Sequence, residues 1–149
     1  MQRRDWLLAL LLAPGVSEEP SERMSRLRIM KALFLLSQEN EEPLAEFYEF
    51  EPYLYGPISF DVYSDLRELQ LEGLVLEQRA IGRTWDYYRL TPAGEEAART
   101  VVEEEVSPAT YRKLREIKSH VNSLNFMGLL RYVYTKYPKF AAESVFKIG

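Results

Sequence analysis

The chain has no cysteine and a single histidine, His120, among its 149 residues. The first absence removes disulfides and thiolate metal sites, and the second removes any centre built on two imidazoles. A Ser-His-Asp constellation would have to use His120, which at a helix end is more simply a partner for the helix dipole. No G-x-S-x-G, phosphate-loop or dinucleotide fingerprint is present. Enzymatic chemistry therefore has little to build on, and neither a cofactor nor a metal is expected. No apolar run is long enough to cross a bilayer, so no membrane partner is expected either. The opening MQRRDWLLALLLAPG imitates a secretory signal. However, Asp5 interrupts its basic region, the apolar run is only Trp6 to Ala13, and no A-x-A site follows. It reads as a buried first helix in a cytoplasmic protein.

What the chain does contain is the make-up of one ordinary globular domain, 46% hydrophobic and 28% charged. Its net charge of −4 is unevenly spread. Residues 1–36 carry 6 basic and 4 acidic side chains, a net of +2. Residues 37–106 carry 5 basic and 17 acidic, a net of −12, and residues 107–149 carry 8 basic and 2 acidic, a net of +6. An acidic middle between basic ends points either to electrostatic partners or to pairing between the blocks.

Periodicity and breakers give a run of elements. A first helix over Arg3 to Ala13 stops at Pro14-Gly15. After a polar loop, with Ser21 as its cap, a second helix spans Glu22 to Gln38. Leu27, Met30, Leu33 and Phe34 lie on its apolar face, and Arg23, Arg26 and Lys31 on its polar side. Ala45 to Tyr55 is an aromatic strand broken at Pro52. Gly56-Pro57 turns into a third helix whose buried face is Val62, Leu66 and Leu69, flanked by Tyr63 and Leu71, and which stops at Gly73. Leu74 to Gln78 and Trp85 to Leu90 form a hairpin. Thr91-Pro92 and Ser107-Pro108 each supply a cap and a first-position proline for a fourth and a fifth helix. A sixth covers Phe126 to Tyr137.

This order predicts an α+β, mainly helical protein: a winged helix-turn-helix core over residues 1–106, with a C-terminal helical extension, 107–149, packed on it as one compact domain. The stretch FEPYLYGPISFDVYSDLRELQLEGL from Phe50 to Leu74 resembles YwgA-like proteins and, more distantly, Panacea domains. They share an aromatic strand, a Tyr-Gly-Pro turn and a helix ending in Leu-x-x-x-Gly-Leu. YYRLTPAG carries the Leu-Thr-x-x-Gly of many winged helices, and LLRYVYTKYP is similar to the tail of the YwgA group. The resemblance spans most of residues 23–138. It implies a winged-helix regulator, adaptor or antitoxin, since Panacea domains occur as antitoxins that neutralise diverse toxins.

The helix that reads the major groove in such folds is the third. Here its solvent face is expected to be Asp61, Ser64, Asp65, Glu68 and Glu72, with Arg67 its one cation. Carboxylates facing phosphates are repelled, so the leading expectation is a protein partner docked on Asp61, Asp65, Glu68 and Glu72. These carboxylates sit at i, i+4 spacing, but no third type of ligand is nearby and no metal site is expected. The alternative is duplex DNA held through a basic wing, Arg79 and Arg83, helped by Arg23 and Arg26, with Arg3 and Arg4 as further cations. These arginines have a second reading as internal partners of the acidic face. The aromatics Phe47, Tyr48, Phe50, Tyr53 and Tyr55 are assigned to core and sheet packing in preference to base stacking. Arg112, Lys113, Arg115, Lys118, Arg131, Lys136 and Lys139 form a basic C-terminal surface. The stripe Leu114, Ile117, Val121 and Leu124 serves either a homodimer seam or the core.

Overall fold

The computed structural model describes residues 1–15, 23–79, 81–82 and 86–146. Among them, α1 is Asp5–Leu12, β1 Met24–Ser25, α2 Arg26–Glu39, β2 Glu51–Tyr53, β3 Gly56–Ile58 and α3 Phe60–Leu71. Then follow β4 Val75–Arg79, β5 Asp86–Leu90, α4 Pro92–Glu105, α5 Pro108–Ser123, α6 Phe126–Lys136 and a 3-10 turn at Pro138–Ala141. The protein is α+β and mainly helical. One antiparallel sheet has the order β1-β5-β4, and a separate hairpin joins β2 to β3.

Helix α1 is apolar on every side, and Trp6 to Leu12 are all buried. A helix with no polar stripe must be surrounded, and α1 packs against α2, α4, α5 and β5. Its last carbonyls have no helical partners, and Lys118 of α5 supplies them: Nζ donates to Leu10 O at 2.9 Å and to Leu11 O at 3.1 Å. Lys118 is thus fully buried, not part of a basic surface as its sequence neighbours implied. The same correction applies to the candidate dimer stripe. Leu114, Ile117 and Val121 are buried inside this chain, and Leu124 packs against the same core.

The start of α2 differs from expectation. Ser21 lies outside the described residues, and the cap is Ser25, whose Oγ accepts from Arg28 N at 3.3 Å. The two residues before the helix form β1, paired as Met24↔Tyr88 and Ser25↔Tyr87. A strand of two residues has no alternation to read. Lys31, expected on the polar side, is buried, because α2 is covered on the face that meets β3 as well as on the face that meets α5.

The aromatic segment is mostly not strand. Phe47 packs edge-on against Trp6, Phe50 against Phe34, and Tyr48 is buried, while only Glu51–Tyr53 pairs with Gly56–Ile58. Pro52 sits within β2, opposite Pro57, which a two-stranded hairpin tolerates because its outer edges are unpaired. Gly56 has φ +95°, and a Cβ there would come within 2.9 Å of Tyr134. Gly94 is glycine for space: a Cβ would stand 1.9 Å from Leu74 O. That close approach lets Thr91 accept from Gly94 N at 3.0 Å and donate to Gly73 O at 2.7 Å. The Leu-Thr-x-x-Gly motif therefore welds the end of β5 to the stop of α3.

Candidate functional site

Helix α3 presents three faces. Val62, Leu66 and Leu69 face the core. Opposite them, Phe60, Ser64, Arg67 and Leu71 fall at successive four-, three- and four-residue steps, one row along the helix, and all are exposed. Phe60 is 50% exposed and Leu71 76%. The acidic residues lie on the flank between these two faces, and that flank is occupied. Arg3 forks onto Asp65, Nε to Oδ2 at 2.9 Å and Nη2 to Oδ1 at 3.0 Å, and reaches Asp61 Oδ2 at 3.2 Å. Arg4 donates to Glu68 at 2.8 Å and forks onto Glu72, with one arm at 3.0 Å.

Asp65 is a correction to the expected solvent face. It is buried, and beyond the Arg3 fork it accepts from Tyr48 Oη at 2.7 Å. A carboxylate removed from water needs such partners, and these satisfy it. Asp61, Glu68 and Glu72 remain exposed, each with an arginine alongside. The hydrogen bond from Arg4 holds Glu72 below the usual carboxylate range, and the Asp65 hydrogen bond raises Arg3 above its ordinary value. Burial, then the bond to Asp65, pushes the Tyr48 hydroxyl well up.

No protein-family model matches the chain, and no curated protein matches it significantly.

The cations expected to meet DNA are placed as follows. Arg83 lies outside the described residues. Arg79 is exposed and stands 3.6 Å from Asp86, its partner across the β4–β5 ladder. Arg23 lies over the Tyr87 ring at 4.6 Å. Arg26 lies over Tyr63 at 4.9 Å and donates to Tyr88 Oη at 3.2 Å. Tyr88 in turn donates to Glu77 at 3.0 Å, and Gln70 of α3 donates to the other oxygen of Glu77 at 3.2 Å. Burial opposes ionisation of Glu77, but the neighbouring Asp86 and the hydrogen bonds from Gln70 and Tyr88 outweigh it and hold Glu77 below its ordinary value. Asp86 is raised, first by the neighbouring Glu77 carboxylate. The result is one network tying α2, α3 and the sheet together.

Among the described residues no group of three or more His, Asp or Glu side chains is arranged to hold a metal, and no helix is long and apolar enough to cross a membrane. Sequence reasoning placed Phe60 nowhere in the site and set Leu71 beside the buried face, a correction, since Leu71 is 76% exposed. Their signal was the opposite face of the same helix: once Val62, Leu66 and Leu69 are core, residues 60, 64, 67 and 71 point outward.

Proposed function

We propose that this chain is a non-enzymatic winged-helix regulator or adaptor that docks a protein partner on α3. The order α1-β1-α2-α3-β4-β5, with the sheet order β1-β5-β4, supports the winged-helix reading; the β2–β3 hairpin is then an insertion before the third helix. The observation that carries the function is the outermost row of α3. A helix that reads DNA presents polar and cationic side chains there, whereas this one presents Phe60 and Leu71 around Ser64 and Arg67. Exposed aromatic and aliphatic anchors on one helix row suit a protein groove or a partner helix. Asp61, Glu68 and Glu72, each beside an arginine, form a polar rim and not the centre of the contact. An antitoxin or defence-associated role fits this arrangement and rests on the resemblance to Panacea domains.

The test is site-specific photocrosslinking from position 60 or 71 in the native host, with position 112 on α5 as control. A discrete adduct from position 60, lost with Leu71→Glu, and from position 71, lost with Phe60→Glu, is the expected result. Duplex DNA bound at sub-micromolar affinity near physiological salt, with a steep salt slope, would overturn the proposal in favour of the wing-led mode.

A further inference from the structure

A groove of about 490 Å³ lies where the first turn of α2, the polar end of the β4–β5 ladder and the start of α6 converge. Its volume is within the range of small-ligand pockets. Leu27, Tyr55 and Phe126 give it apolar walls. Tyr55 and Phe126 are exposed at its mouth, their rings 6.4 Å apart, and each touches Phe146, at 5.8 and 5.4 Å. Leu54, Met127 and Val145 are exposed beside them, and Leu54 O accepts from Val145 N. Much of the exposed apolar surface is therefore gathered round this opening, an arrangement that marks a binding region.

The charges around the groove are unequal in a specific way. Arg26 is engaged by Tyr88, which leads on to Glu77, and Arg79 faces Asp86. Arg28 has neither. Its Nη1 donates to the Val121 carbonyl at the end of α5, and among the described residues no carboxylate is within ion-pair reach of it. The first turn of α2 contains no acidic residue. Burial pushes Arg28 below its ordinary value, opposed by Tyr87. A half-buried guanidinium without a counter-charge is unfavourable until an anion meets it.

We propose that this groove binds an apolar molecule carrying one carboxylate, the charge meeting Arg28 and the body lying on Leu27, Tyr55 and Phe126. One guanidinium, uncompensated among the described residues and with one nitrogen already committed, matches a monoanion and leaves a fork that suits a carboxylate. A phosphate dianion would bring a second charge toward Glu77 and Asp86. A free organic acid and the C-terminus of a peptide share this chemistry. The site is independent of the α3 contact, and neither result bears on the other.

The experiment is an NMR titration of the full chain with phenylbutyrate, phenylbutanol and phenylbutylamine. In parallel, the tripeptide Gly-Leu-Phe is titrated with a free and with an amidated terminus. Saturable shifts at Leu27, Tyr55 and Phe126 are expected for the carboxylates, with the alcohol and the amine weaker by at least about ten-fold. Arg28→Gln should lose the same factor. Because Arg28 also holds the end of α5, Leu27→Asp is the second variant: it supplies a carboxylate in place and should block binding while the melting temperature is kept. Tighter binding of the free tripeptide than of phenylbutyrate, lost on amidation, assigns a peptide terminus; the reverse order assigns a free acid. Absence of saturable shifts from both carboxylates up to about 10 mM, a limit of weak affinity, overturns the site. Equal binding of acid and alcohol overturns the role given to Arg28.

Discussion

Two buried lysines show how little a residue type says until its surroundings are known. Lys118 reaches two carbonyls at the end of α1, so its charge is met by a helix terminus. Among the described residues Lys31 has a single acceptor, Pro57 O at 3.3 Å, and burial lowers its pKa from 10.5 to about 7. Between those two values the unfolded chain holds a proton that the folded chain lacks. Stability should therefore rise with pH from about 7 to 10.5 and stay flat below that window, with a slope of up to about 1.4 kcal/mol per pH unit. Denaturant titrations at a series of pH values measure this. Lys31→Met should raise stability at neutral pH and remove one proton from the slope; an unchanged slope would show that Lys31 is protonated in the fold. Lys118→Met should do the reverse, lowering stability by about 2–3 kcal/mol, since it strands two buried carbonyls. Gly94→Ala tests backbone packing in the same assay. The 1.9 Å approach to Leu74 O leaves no room for a methyl group, so a loss of at least about 2 kcal/mol is expected, and a neutral result would mean the α3 stop and α4 can part freely.

At the scale of elements, the start of α1 is joined to the acidic flank of α3. Asp65 is the centre of that joint, held by Arg3 and Tyr48. Asp65→Asn keeps the shape but removes the charge that Arg3 and Tyr48 address. It should destabilise by about 2 kcal/mol, with the exposed side of Arg3 limiting the loss. A double-mutant cycle with Tyr48→Phe should show coupling, and strict additivity would mean the 2.7 Å contact contributes nothing. This is also where the sequence was least readable. The stops and caps at Gly73, Thr91 and Ser107 were legible because each depends on chemistry within a few residues. The burial of Asp65 was not, because its partners lie 62 and 17 residues away. The aromatic segment misled for a related reason: Phe47, Tyr48 and Phe50 fit a strand by propensity, yet each turns to a different partner, Trp6, Asp65 and Phe34.

For the whole molecule, the uneven charge of the three blocks is partly cancelled inside the fold. Arg3 and Arg4 from the basic start meet four carboxylates of α3. From the basic end, Lys113 and Lys136 reach Glu39 at 3.8 and 3.2 Å. The blocks could be counted in the sequence, but whether they faced each other or a partner could not, since that depends on which helix ends lie side by side. Most of these pairs are at the surface, where each contributes little and salt screens it. Their common sign still gives a measurable whole-molecule effect. Raising sodium chloride from about 20 mM to about 0.5 M shrinks the Debye length from roughly 20 Å to roughly 4 Å. The melting temperature should fall by a few degrees over that range. The variant Arg3→Gln/Arg4→Gln should start lower and lose most of the salt dependence, because it removes the cations that salt would screen. A wild-type melting temperature that rises steadily with salt would mean that repulsion within the acidic middle outweighs its pairing with the ends. The carboxylates of α3 would then be an under-neutralised surface, and the centre of the partner contact would move from Phe60 and Leu71 back to Asp61, Glu68 and Glu72.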